Sequence, residues 1–240
     1  MKGRTNIGLA CKKINSFMKK IVVVAVHPDD ETLMCGGTLL KHKNDGDEIY
    51  WIIVTSITKE YGWDEKLIDT RQKEIMEVSD MYGFDKTYQL NFPTTRLDEI
   101  PRGDIIKSIS DVFNEVKPDT IYLPNRSDVH SDHHVAFQAA YACTKNFRFP
   151  FIERVLMGET LSETEFSPAM NHNTFTPNVF VDISSFIDQK LEIMKVFASE
   201  VMNDPYPRSL SAMQALGHYR GSRIGKENAE SFVLLFEQNL

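Results

Sequence analysis

The sequence predicts an α/β fold of three layers, α/β/α, with helices on both faces of a mostly parallel sheet. Three observations carry that expectation. Runs such as "KIVVVAVH" (20–27) and "EIYWIIVTS" (48–56) are apolar without clean alternation, as strands buried on both faces are. Stretches of helical spacing separate such runs and end at Gly46, Gly83 or Pro118, residues that stop helices. Strand then alternates with helix over the first 145 residues, the order that builds βαβ units.

Each element follows from its own residues. After the first strand, "ETLMCGGTLLKHKND" (31–45) has helical spacing, and Gly36 and Gly37 let it lie close to its neighbours. "KLIDTRQKEIMEVSDMYG" (66–83) reads as a helix, "KTYQLNFP" (86–93) as a strand and "GDIIKSISDVFNEVKPD" (103–119) as a helix. "TIYLPN" (120–125) is a strand and "HHVAFQAAYACTK" (133–145) a helix. Further on, "IERVLMGET" (152–160) and "NVFVDIS" (178–184) read as strands, and "IDQKLEIMKVFAS" (187–199) as a helix with Met194 and Phe197 in the core. No repeat or linker interrupts the chain, so residues 20–240 are expected to form one domain. Residues 1–19, basic and weakly periodic, read as an N-terminal extension, with Met18 as a second candidate start.

Composition narrows the function. A length of 240 residues suffices for a sizeable core, and 42% apolar with 25% charged residues is ordinary for a globular protein. A net charge of −7 leaves no basic stripe for nucleic acid or an anionic membrane surface. No apolar run approaches the ~18 residues of a membrane span. Cys11, Cys35 and Cys143 are odd in number and far apart, which fits a reducing, cytoplasmic setting and offers no cysteine-built zinc site.

Two motifs carry chemistry. "VHPDDE" (26–31) crowds an imidazole and three carboxylates where the first strand ends, which is where open α/β sheets bind ligands. One acid would serve to cap a helix; three in a row repel unless a cation neutralises them. Imidazole nitrogen with carboxylate oxygen is the ligand set of Zn²⁺ or Fe²⁺. "LPNRSDVHSDHH" (123–134) follows the fourth strand and holds three of the seven histidines. By spacing alone, His130 pairs equally well with His133 or with His134 on one helix face. Asp29 and Asp30 are both expected at an exposed strand end. Elsewhere, His42 is expected to be solvated at a helix end, while Glu159, His172 and His218 are weaker candidates for lining a cleft.

Together "AVHPDDE" and "DVHSDHH" resemble the motifs of the LmbE-like, PIG-L family of zinc-dependent N-deacetylases. "TRQKE", with Arg71 and Glu74, matches the family's R-x-x-E. "TPNVFVDIS" with Lys190, and "RGSRIGKENAESF" with Arg220, Gly221, Glu230 and Phe232, extend the likeness over about residues 20–236. The resemblance implies a Rossmann-like fold, with His27, Asp30 and His133 as metal ligands and Zn²⁺, or else Fe²⁺, as cofactor. It implies Asp29 as general base, His130 as the group that stabilises or protonates the tetrahedral intermediate, and Asp132 as the residue orienting the His130 imidazole. It implies Arg71 as a substrate-binding residue, and Asp128 stands where one branch of the family has a tyrosine that donates to the oxyanion.

The expected reaction is hydrolysis of the acetyl amide of a small N-acetylated sugar or glycoconjugate, of N-acetylglucosamine type, to a free amine and acetate. A homo-oligomer is compatible with the sequence. The alternatives are a zinc amidase acting on a larger amide conjugate, and a metal-dependent sugar-transferring or sugar-binding protein. Transferases of this architecture bind Mn²⁺ or Mg²⁺ through oxygen ligands and have no use for this supply of histidine.

Overall fold

The computed structural model describes residues 18–238. Strands β1 (Lys20–Ala25), β2 (Glu48–Ser56), β3 (Lys86–Pro93), β4 (Thr120–Leu123), β5 (Arg154–Gly158), β6 (Val179–Asp182) and β7 (Ala229–Glu237) form one sheet. Its order is β3-β2-β1-β4-β5-β7-β6. The first five strands pair in parallel, and β7 runs antiparallel between β5 and β6. The helices are α1 (Asp30–Asp45), α2 (Glu65–Tyr82), α3 (Arg102–Val116), α4 (Ser131–Ala142), α5 (Ile187–Met194) and α6 (Leu210–Ser222).

Strand periodicity divides the core in two. From the first strand and the residue just after it, Val22, Val24 and Val26 point to one face and pack with Ile105, Ile109 and Phe113 of α3 and with Ala136 and Phe137 of α4. Ile21, Val23 and Ala25 point to the other face, against Leu39 of α1, Val78 of α2 and Ile193 of α5. All six residues, Ile21 to Val26, are fully buried, so the uninterrupted apolar run is what a central parallel strand requires.

Helix α1 is kinked at Cys35, whose φ of −146° is not helical. The kink frees backbone groups, and distant side chains occupy them. The Leu33 carbonyl accepts from Lys190 Nζ at 3.1 Å, while Gly37 and Thr38 donate their N–H groups to the two oxygens of Glu230 at 2.9 and 2.7 Å. Lys190 and Glu230 are themselves paired at 2.7 Å, both buried. This is a side-chain insertion into the helix ladder, one of the recognised causes of a sharp bend. The glycines beside it permit the bend: a Cβ on Gly36 would collide with the Tyr82 hydroxyl, and one on Gly37 would lie 2.8 Å from Ile183. Lys190→Met leaves Glu230 charged and buried without its cation. It is expected to lower unfolding free energy by about 3–5 kcal/mol in a denaturant titration.

Three expectations need correction here. Helix 187–199 is shorter than its pattern suggests: α5 stops at Met194, although Phe197 in the following turns is fully buried. Helix α6 and strand β7 were not expected at all. The buried positions of α6 are Met213, Gly217 and Gly221, so its inward stripe is mostly glycine and gives no apolar period to read. His42 is not solvated: its ring contacts Asp47 at 2.7 Å and the Tyr122 hydroxyl at 2.9 Å, and burial lowers its pKa.

The expected N-terminal extension lies outside the described residues except for Met18 and Lys19. Among the described residues no helix is long and apolar enough to cross a membrane.

Candidate active site

The sheet order reverses between β1 and β4, since β2 and β3 lie to one side of β1 and β5 lies beyond β4. The segments that leave these two strands at their carboxyl ends border the crevice where such sheets bind ligands. They are the segments that carry the two histidine-rich motifs. His27 follows β1 directly, Asp30 opens α1, and His130 caps α4, with its Nδ1 accepting from the Asp132 N–H at 3.1 Å.

One ligand atom from each of His27, Asp30 and His133 lies within 4.8 Å of the others. Asp30 is 4% exposed and His133 is fully buried. The Val26 and His27 N–H groups fix the carboxylate by donating to Asp30 Oδ2 at 3.0 and 2.8 Å. His133 Nε2 stands 3.3 Å from the same oxygen, and His27 Nδ1 stands 3.8 Å from it. Burial raises the Asp30 pKa, but the two imidazoles and the amides override it and hold the group well below the carboxylate range.

These residues fit a divalent cation. His133 Nδ1 lies 2.8 Å from Asp128 Oδ2, so it carries the proton and leaves a lone pair on Nε2. That Nε2 is buried with no hydrogen-bond partner, a state that would leave a polar atom unsatisfied unless a cation takes it. Burial lowers the His133 pKa, yet the carboxylates of Asp30 and Asp128 raise it further in the opposite direction; the position demands a positive charge.

His27, His130 and Asp132 form a second, overlapping group of ligand atoms. Its carboxylate is already committed: Asp132 accepts from Thr95 N–H at 2.6 Å on Oδ2 and from Leu97 N–H at 3.0 Å on Oδ1. The hydrogen bonds to Asp30 all fall on one oxygen. The first group is therefore the better cation site. His134 is exposed on the far side of its turn, which removes the alternative pairing with His130.

Each of the three consecutive acids has a separate position. Asp29 faces the cleft, only 6% exposed, and holds a φ of 131°, a strained value for a side chain with a Cβ. Burial, followed by the charges of Asp30, Glu200 and Glu31, raises its pKa well above the ordinary aspartate value. Glu31 is fully buried outside the cleft, accepting from the Asp29 N–H and the Thr32 hydroxyl, with burial pushing its pKa to about 7. It supports the turn that presents Asp29. The expectation that the pair sits exposed at a strand end is corrected: both aspartates are buried.

Two further site assignments change. Asp128, expected on the substrate side, is fully buried and does not reach the cleft. It accepts from Thr164 Oγ1 at 2.6 Å and contacts His133 Nδ1, so it holds the imidazole from behind. The Asp132 carboxylate makes no hydrogen bond to the His130 ring; it contacts His27 Nε2 at 3.3 Å and the two loop amides, while its backbone N–H is what meets His130. The helix start explains this, because the N-cap side chain takes the amide two residues on. Thr164→Val breaks the outermost link to Asp128 and is expected to weaken metal affinity about tenfold in a chelator competition, the lower end for such supporting partners.

The cleft in front of these residues has a volume of about 640 Å³. Arg71 lines it, as expected for a substrate-binding residue, but its guanidinium is occupied. It donates to the Pro28 carbonyl and the Ser199 hydroxyl, both at 3.0 Å, and pairs with Glu74 and Glu200. Arg71 thereby fastens the turn between His27 and Asp29 to α2. Three charged lining residues gave no signal in the sequence: Glu163, Glu200 and Arg208. They come from irregular segments far from either motif, and only folding brings them to the crevice. Glu163 has a buried oxygen without a partner, and burial raises its pKa.

The weaker candidates stay outside this cleft, although Glu159 lines a separate cavity beside Arg220. Glu159 is bidentate to Arg220 at 2.8 and 2.7 Å, His172 is exposed, and the His218 ring lies 3.0 Å from the Glu227 carbonyl.

A model of the PIG-L family, described as GlcNAc-PI de-N-acetylase, matches residues 22–144, a span that includes every proposed ligand. A diacetylchitobiose deacetylase from Thermococcus kodakarensis is 24% identical over 225 residues, covering 89% of this chain and 82% of the relative. Among solved structures, the conserved protein TT1542 from Thermus thermophilus superposes with a TM-score of 0.72 and 28% identity, covering 93% of this chain and 97% of the other. An N,N'-diacetylchitobiose deacetylase from Pyrococcus horikoshii, complexed with an inhibitor, gives a TM-score of 0.72 at 22% identity, covering 90% and 84%. At that identity the second structure speaks for the fold.

Proposed function

The chain belongs to the PIG-L family, and we propose that it is a zinc-dependent hydrolase that removes the acetyl group from an N-acetylated amino sugar of glucosamine type. The products are a free amine and acetate. The observation that carries this reading is the meeting of His27, Asp30 and His133 at the sheet's switch point, with the His133 Nε2 lone pair unused and Asp29 beside it. The names of the relatives, several of them deacetylases, support the same reaction class.

A cation on these three side chains supplies Lewis acidity, lowering the pKa of water toward about 7 and polarising an amide carbonyl. The remaining work falls to the chain. Asp29 lines the cleft, placed to take the proton of the attacking water. His130 accepts at Nδ1 from a backbone N–H, so its proton sits on Nε2. Burial and the neighbouring His27 lower its pKa, so the ring is neutral at neutral pH and acts as a hydrogen-bond donor toward the developing oxyanion. Asp128 and Thr164 keep His133 in the tautomer that binds metal. Water then adds to the carbonyl carbon, the C–N bond breaks, and the proton taken by Asp29 passes to the departing amine.

Mass spectrometry of a panel of N-acetylated sugars, incubated with zinc-supplemented protein, tests the proposal. The expected change is replacement of one acetyl by hydrogen, abolished by chelation and restored by zinc. No such product from any amino sugar, with metal bound, would overturn it.

A further inference from the structure

The catalytic groups make up only part of the cleft lining, and another part has a different character. It is made by Ile57, Trp63, Leu67, Ile68 and Ile75. Four of them sit in or just before the first turns of α2, where positions 67, 68, 71, 72 and 75 face the cavity as one helical stripe. Leu67, Ile68 and Ile57 are only half-buried, and Trp63 is 38% exposed, so this apolar face is left uncovered by the fold itself. The cleft also offers Thr55, Ser56, Gln72, Gln89 and Asn91 to the hydroxyls of a sugar, but a hydroxyl laid against the apolar residues themselves would find no partner there.

Charge points the same way. The lining residues include four carboxylates, Asp29, Asp30, Glu163 and Glu200, against two arginines, Arg71 and Arg208. Both arginines pair with Glu200, and Arg208 also donates to the Glu200 carbonyl and the Ser162 hydroxyl. No unpaired cation in the lining awaits a phosphate or carboxylate. Even with a divalent cation bound, the lining carries no positive excess to attract an anion.

We infer that the substrate carries an uncharged apolar group on its sugar, an alkyl or aryl aglycone, and that this group lies against the Ile57–Trp63–Leu67–Ile68 wall. The inference rests on the deacetylase reading in one respect: that reading fixes the acyl group as acetyl, which leaves the sugar side to supply the apolar part. An alkyl chain gains about fourfold in affinity for each methylene removed from water, so even partial burial gives a large preference.

The chain offers a built-in probe, because it has two tryptophans; Trp51 is fully buried in the core and Trp63 lines the cleft. Zinc-loaded protein is titrated, below micelle-forming concentrations, with octyl N-acetyl-β-glucosaminide, N-acetylglucosamine, N-octanoylglucosamine and N-acetylglucosamine 1-phosphate. The octyl glycoside is expected to shift Trp63 emission to the blue and to half-saturate at a concentration at least about tenfold lower than N-acetylglucosamine. Leu67→Asp should remove that advantage; a carboxylate in the first turn of a helix suits its dipole, so the fold is retained. Trp63→Phe should lose the emission change yet keep the advantage when binding is measured by calorimetry. Equal half-saturation by the octyl glycoside and N-acetylglucosamine overturns the inference, as does a preference for the octanoyl amide or the phosphate. Hydrolysis of the acetyl sugars without any octyl advantage sinks the inference alone. The octyl advantage without hydrolysis of any acetyl amide upholds the apolar subsite and sinks the deacetylase reading instead.

Discussion

His133→Ala is expected to yield protein without bound metal and without measurable hydrolase activity, whereas His134→Ala keeps both. The two residues are adjacent in the sequence and chemically identical, yet the first is fully buried with its Nε2 aimed at Asp30, and the second is exposed. Removal of a direct ligand should lower metal affinity by more than the roughly 10–100-fold typical of a supporting partner. Elemental analysis of the two purified variants checks the prediction. Metal retained by His133→Ala but lost from His134→Ala would reverse the ligand assignment. The buried carboxylates of Asp30 and Asp128 flank the vacated position, so His133→Ala should also unfold at lower denaturant concentration than the parent.

Asp29→Asn should keep its metal while kcat falls by about 10²–10⁴-fold, the usual worth of a positioned general base. The amide preserves the shape and the strained backbone position but removes the basic oxygen. Its neighbour behaves differently: Asp30→Asn replaces an anionic ligand and should weaken zinc binding, with activity partly recovered by excess metal. The pH profile gives an independent readout. Asp29 works as a base only when ionised, so the rate rises as pH passes upward through its pKa. Burial and the charges of Asp30, Glu200 and Glu31 raise that pKa, which places the rising limb above the value of about 4 for an ordinary aspartate. In Asp29→Asn that limb should vanish from the kcat/KM profile. Equal metal content and equal rates in the two asparagine variants would refute the division of labour between the aspartates.

Both predictions depend on neighbours that the sequence lists far apart. Glu163, Glu200 and Arg208 line the same cleft as Asp29, and Thr164 reaches across to Asp128, yet all four come from irregular segments with no periodic pattern. The Asp132 carboxylate bonds to amides of the Thr95–Leu97 loop, a contact set by where that loop lands after β3. The same is true of Lys190 and Glu230, which meet across 40 residues inside the kink of α1.

What the sequence determined by itself was the α/β alternation, the central strands and the two motifs at strand ends. Strand and helix periods are local, and a parallel sheet places all its strand-to-helix turns on one edge. The two motifs could therefore be brought together on paper before any fold was known, and the resemblance to the PIG-L family implied His27, Asp30 and His133 as the ligands within them. The tertiary structure alone decided which of His133 and His134 turns inward, that Asp128 stands behind a ligand and out of the cleft, and that Arg71 is spent on Glu200 and the Pro28 carbonyl. It also added α6 and β7, whose buried glycines and antiparallel placement follow no simple period. Those outcomes are set by burial and by hydrogen-bond satisfaction between segments distant in the chain, and such terms take their values only once the segments are packed.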